Sequence, residues 1–158
     1  MATWQEFSEQ APGLAARALE RFEAHRHKTM ATIRADGSPR ISGTEVGIHG
    51  GQVWLGGMTG SRRFADLRRD PRIAIHSASE DPDVWTGDAK LTGRAVEVTD
   101  AAGRRAFRGD AVEGDEGDFE LFRVDVHEVV VVRLSDERDR LLVDIWREGE
   151  PVRTVERG

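Results

Sequence analysis

Between Val53 and Arg72 the chain reads VWLGGMTGSRRFADLRRDPR. Gly56, Gly57 and Gly60 lead into Ser61, and Arg62 and Arg63 follow at once. Glycine lets a backbone approach a ligand closely, a helix start presents unbonded N–H groups, and guanidinium forks pair with phosphate oxygens. Together these features suit an anion, above all a phosphate. Cations in the first turn of a helix oppose its dipole, and a bound anion offsets that conflict. The alternative is that Ser61 only caps the helix and the arginines are solvated. Two well-known phosphate loops do not fit. A Walker A loop has a lysine where Ser61 stands, and a dinucleotide fingerprint needs a glycine at Leu55 and repeated βαβ units.

No other motif carries catalytic chemistry. His25, His27, His49, His76 and His127 lack metal-ligand spacing, and neither HExxH nor GxSxG occurs. With no cysteine there is no disulfide, thiolate nucleophile or Cys-ligated metal, and with no tyrosine there is no tyrosine acid. No catalytic residue and no metal are therefore assigned. Glu45 sits in a predicted strand and faces either a polar barrel mouth or solvent. Lys90, in GDAKLTG, is equally open. Trp146 suits a core or an interface, and Arg68, Arg69 and Arg72 read as a solvated face. A net charge of −6 argues against general nucleic-acid binding, so any anion site is local. No run approaches the ~20 apolar residues of a membrane helix. The acidic start MATWQEFSEQ lacks a signal pattern, so a cytoplasmic protein is expected.

The elements that must hold these residues can be read from period and punctuation. The 158 residues fit one domain. Thr3 to Glu6, TWQE, fits a capping box and opens a short helix. Pro12 suits the first turn of a second helix, with Leu14, Ala18, Leu19 and Phe22 on one face and an end near His25 to Lys28. From Thr29 the period becomes that of strands, with bends at Asp36-Gly37 and at His49 to Gly51. SRRFADLRRD forms one short helix with Phe64 and Leu67 inward, stopped by Pro71. RIAIHS is a strand, SEDPD a loop, and DAKLTGRAVEVTD a strand with Gly93 at a bend or bulge. AAGRRAF forms a short helix, EGDEGD an acidic loop, and two or three strands follow. Six to eight short strands with hairpin connections predict a closed antiparallel barrel preceded by a helical segment at 1–27. Val129 to Val132 read as buried on both faces, as where a barrel wall packs on a second subunit.

ATIRADGSPRISGTEV, QVWLGGMTGSRRFADLRRDPRIAIHS and LTGRAVEVTD, in that order, resemble the pyridoxamine 5′-phosphate oxidase-like family of flavin-binding proteins. The resemblance covers about Lys28 to Asp100 and is looser beyond. It implies a six-stranded antiparallel split β-barrel, mainly β with a few helices, as a single domain over 1–158. It also implies a homodimer with FMN at the subunit interface. Arg62 and Arg63, with Ser61 beside them, would hold the flavin phosphate. The strand Ile41 to Val46 and the segment Leu55 to Met58 would border the flavin ring, with Thr44 and Gly57 as candidates there. Lys90 and Trp146 complete the candidate cofactor residues, Trp146 at the flavin edge or the dimer seam. The family implies a flavin-dependent oxidoreductase acting on a small molecule. The alternatives on the same fold are an F420-dependent reductase and a non-catalytic flavin carrier. Where the oxidase branch brings a glutamine to the flavin this chain has Asp88, which points to a substrate other than pyridoxamine phosphate.

Overall fold

A computed structural model describes residues 1–109 and 118–158. Two helices, α1 (Trp4–Gln10) and α2 (Pro12–Glu23), precede β1 (His27–Ile33), β2 (Pro39–His49) and β3 (Gln52–Met58). Helix α3 (Arg62–Arg69) leads to β4 (Arg72–His76) and β5 (Asp88–Glu97). Helix α4 (Ala101–Arg108) precedes β6 (Phe119–Leu134), β7 (Leu141–Arg147) and β8 (Arg153–Arg157). The acidic loop expected at 113–118 lies, apart from Asp118, outside the described residues.

All pairings are antiparallel, and the order β3-β2-β1-β4-β5-β6 closes on itself through β3–β6, giving the expected six-stranded barrel. The 16-residue β6 makes the closure possible. One of its edges pairs with β5, while the other pairs first with β3 (Phe119–Val124) and then with β7 (Glu128–Leu134). Pairing between β2 and β3 runs only from Val46↔Leu55 to His49↔Gln52. Beyond it the first half of β2 stays with β1 and diverges from β3, and there the barrel is split. The bulge foreseen at Gly93 is a register shift between Thr92 and Gly93, and a Cβ there would lie 2.0 Å from Asp125 O.

The core runs through the barrel. The capping box at Thr3 and Glu6 starts α1, whose Trp4 and Phe7 pack on Phe22 of α2 and Trp146 of β7. Helix α2 ends at Glu23, earlier than expected, because His27 already pairs with Glu45 in the β1–β2 ladder. Val129 and Val131 face the core as expected, whereas Val130 and Val132 are only half-buried on the outer face of the single chain.

Phe64 and Leu67 anchor α3 beneath the barrel end, with Phe64 stacked 4.9 Å from Phe122. A buried carboxylate fixes the orientation of the helix. Asp66 accepts from Thr32 Oγ1 (2.9 Å), Arg40 Nε (2.6 Å) and Arg69 Nη2 (2.9 Å), and Arg69 also donates to Ile33 O. Burial raises its pKa, but these three donors outweigh burial and bring it from 3.8 to about 2. Arg68 clamps the other side of α3 to Glu97 and Glu120 at 2.5 Å each, and Arg72 pairs with Asp70. Arg68, Arg69 and Arg72 are therefore not a free solvated face, since acids within reach engage each of them.

Asp66→Asn is expected to cost ~2 kcal/mol, the order of a charge-assisted hydrogen bond with partly exposed donors, and to lower Tm by about 4–8 °C. Because the folded carboxyl is depressed, its contribution is complete above pH ~4 and is lost as pH falls through about 2. Urea melts of wild type and variant from pH 7 to pH 2 should converge at the acid end. A constant gap would remove the charge from the account.

Candidate functional site

The segment after β3 turns through Gly60, at φ +78, and enters α3 at Ser61. Ser61 occupies the N-cap position, yet its hydroxyl caps nothing: Oγ is buried without a hydrogen-bond partner. Arg63 lies across the split. Its Nη1 donates to Gly43 O at 3.0 Å, its guanidinium sits 5.0 Å from the Phe64 ring centroid, and its Nε is buried and unpartnered. Gly57 makes room for it. A Cβ at Gly57 would stand 2.7 Å from Arg63 Nη2 and 3.0 Å from Phe64 Cε2. Arg62 is exposed and makes no hydrogen bond or ion pair with the described residues. It borders a hollow of about 320 Å³ with Arg34, Arg40 and Arg69.

Buried polar groups are nearly always hydrogen-bonded, and an unsatisfied one costs ~1–3 kcal/mol. A hydroxyl and a guanidinium N–H without partners are what a phosphate oxygen would satisfy. The residues present therefore fit a phosphate-bearing cofactor.

Of the residues expected in the site, the structure gathers Ser61, Arg63 and Gly57 at the split, with Arg62 on the next helical position. Thr44 follows Gly43, but its side chain is buried and its hydroxyl donates to Glu45 O at 3.1 Å. Glu45 is exposed and pairs with Arg26 at 2.8 Å, and both line a hollow at the split, so the residue borders the barrel mouth and solvent together. Lys90 is apart from this group, on the outer face of β5 with Nζ 3.9 Å from Asp88. Trp146 is enclosed in the core, not placed at a seam. Its ring centroid lies 4.8 Å from that of Phe7, and Nε1 donates to Gln10 Oε1 at 3.2 Å. The capped helix α1 lies over it and takes the face a cofactor would need. Sequence reasoning missed Lys28, a buried cation at the split. Its only signal was a charge at an inward position of a strand.

A closed six-stranded antiparallel barrel opened between two strands is a split barrel. The family model for pyridoxamine 5′-phosphate oxidase matches residues 14–133, and the chain belongs to that family. A pyridoxamine 5′-phosphate oxidase-related, FMN-binding protein from Nostoc punctiforme superposes with a TM-score of 0.64 at 14% identity, over 94% of this chain and 96% of that one. A heme-binding protein from Mycobacterium smegmatis gives 0.62 at 24% identity, over 84% of this chain but only 57% of the other's length. PhzG from Burkholderia lata, in complex with tetrahydrophenazine-1-carboxylic acid, gives 0.61 at 15% identity over 97% and 92%. At these identities the likenesses establish the fold. No curated protein matches the chain. No helix among the described residues is long and apolar enough to cross a membrane.

The two glycines facing the split should respond differently to alanine. Gly57→Ala overpacks Arg63 and Phe64 and is expected to cost about 1–3 kcal/mol. Gly43→Ala, where a Cβ meets nothing within 4 Å, should be neutral or stabilising by up to about 1 kcal/mol. Paired urea melts check this, and equal losses would contradict the packing described.

Proposed function

We propose that the chain is a homodimeric, cytoplasmic flavin-dependent oxidoreductase that binds FMN and acts on a small molecule. One observation carries the reading. Ser61 Oγ and Arg63 Nε are buried and unsatisfied, and Arg62 precedes Arg63 in the chain, at the place where the family resemblance puts the flavin phosphate. Family membership and the likeness to an FMN-binding protein support it.

When bound, the flavin supplies the hydride or electron transfer. The protein's part is to hold and orient it. Arg62 and Arg63 offer charged forks to the phosphate, Ser61 adds a hydroxyl, and Gly57 keeps the passage beside Arg63 open. The phosphate of F420 makes the same demand, so the arm serves an F420-dependent reductase or a flavin carrier equally well. The cofactor that binds and the turnover it supports separate these alternatives.

A second copy has a face to meet. The outer side of β1, β4 and β5 holds a hollow of about 510 Å³ lined by Ala31, Ile33, Pro39 and Ala74, and Ile41 and Met58 are 74% and 82% exposed. Stable dimers cover such apolar surface.

Each charged hydrogen bond is worth ~1.5–3 kcal/mol, so Arg63→Ala or Arg62→Ala should weaken FMN binding about tenfold to a hundredfold. Riboflavin, which lacks the phosphate, should bind wild type and variants alike. F420 is titrated in parallel. If FMN and F420 bind both variants as tightly as wild type, the arm does not hold a phosphate.

Light scattering at micromolar concentration should give twice the 17.6 kDa chain mass. A clean monomer would remove the dimer from the proposal.

A further inference from the structure

Residues one apart on a helix do not face each other. Arg63 nevertheless turns back on its neighbour, with its guanidinium carbon over the Phe64 ring, 5.0 Å from the centroid. Phe64 is fully buried and stacks on Phe122, the rings 4.9 Å apart and 25° from parallel. Phe122 carries a guanidinium of its own, that of Arg68 at 5.6 Å. The two arginines differ in what else holds them. Arg68 is spent on Glu97 and Glu120. Arg63 makes no ion pair with the described residues. Its Nη1 donates to Gly43 O at 3.0 Å, its Nε is buried without a partner, and its Nη2 donates to none of the described residues.

A guanidinium is planar, and its five N–H donors point in fixed directions. Three contacts set that plane here. Gly43 O takes Nη1, the Phe64 ring takes one flat side, and Gly57 stands close to both, since a Cβ there would lie 2.7 Å from Arg63 Nη2 and 3.3 Å from Phe64 Cζ. With Nη1 held, the parallel N–H groups of Nε and Nη2 are the fork that remains. Such a fork matches two phosphate oxygens. A long side chain that must be immobilised on binding costs affinity, and one already immobilised does not. The ring supplies the force, because the face of an aromatic ring attracts a cation, more strongly where water is excluded.

We propose that Phe64 is the positioning residue of the phosphate arm: its ring face holds the Arg63 guanidinium so that the Nε–Nη2 fork is set before a phosphate arrives. The inference rests on the phosphate reading above and deepens it. It separates Arg63, which a buried ring holds in place, from the exposed Arg62, which makes no hydrogen bond or ion pair with the described residues. Phe64 itself touches no ligand and acts through Arg63.

The test titrates FMN and riboflavin into the full chain and reads the ratio of their affinities. Phe64→Leu should weaken FMN binding about twofold to tenfold, the cost of ordering one long side chain, and leave riboflavin unchanged. Because Phe64→Leu also opens a cavity in the core, a second variant carries pentafluorophenylalanine in place of Phe64. That ring keeps its shape with its charge pattern reversed, and FMN should lose at least as much. In an Arg63→Ala background neither change should weaken FMN further. With no ligand present, the Arg63 Nε–H should exchange slowly with solvent in wild type and faster in both variants, as read by proton–nitrogen NMR. An FMN-to-riboflavin ratio that survives fluorination, equal losses of both ligands, a further FMN loss on top of Arg63→Ala, or an exchange rate indifferent to the ring would each overturn the inference. Full FMN affinity in Arg63→Ala would overturn the phosphate reading and the inference together. Dependence on Arg63 with none on Phe64 would overturn the inference alone.

Discussion

The site depends on one buried carboxylate. Asp66 sits on a two-turn helix among Arg40, Arg62, Arg69 and Arg34. Without an acid at its centre such a group of guanidinium ions would repel itself, and α3 would have no fixed direction. Asp66 is 3% exposed, a burial that disfavours its charge, and it is kept ionised by Thr32, Arg40 and Arg69. Those three donors come from β1, β2 and α3 itself, so one charge locks the helix to two neighbouring strands, one of which borders the split. It also sorts the arginines. Arg40 and Arg69 are consumed, and Arg62 and Arg63 are left for something else.

The second constraint is an unpaired sheet edge. Because β2 leaves β3 after Val46↔Leu55, the outer edge of its first half has no strand beside it. An unpaired edge invites another chain or must be covered. Here Arg63 covers part of it by donating to Gly43 O. The residue proposed to hold a phosphate thus also closes a backbone hydrogen bond that the split leaves open. Gly57 is the condition for both, since any side chain there would meet the arginine.

Much of this was legible in the sequence because it rests on local physics. The capping box at Thr3, the bends at Gly37 and Gly50-Gly51, the Gly93 bulge and the arginine pair after Ser61 each announce themselves within a few residues. What stayed hidden was non-local. Arg68 and Arg69 look like part of a solvated stripe until Glu97, Glu120 and Ile33 are brought to them. Trp146 looks like an interface aromatic until α1, more than 130 residues earlier, is laid over it. Lys28 reads as an ordinary strand charge until the divergence of β2 from β3 shows what it lines. Thr44 is buried and its hydroxyl is spent on a neighbouring carbonyl, neither of which its place in the strand pattern announces.

These particulars share a cause. A barrel whose β2–β3 ladder ran its full length would pair the backbone that Arg63 now serves and leave no hollow beside Lys28. The long β6 removes that need, because it closes the barrel through β3 on one part of its edge and passes to β7 on the next. Closure elsewhere allows an opening here. Two cations border that opening, Arg63 on the α3 side and Lys28 on the β1 side, and the charges of Glu23 and Glu45 act on Lys28. Gly57 lies against both, lining the hollow and touching the path of Arg63.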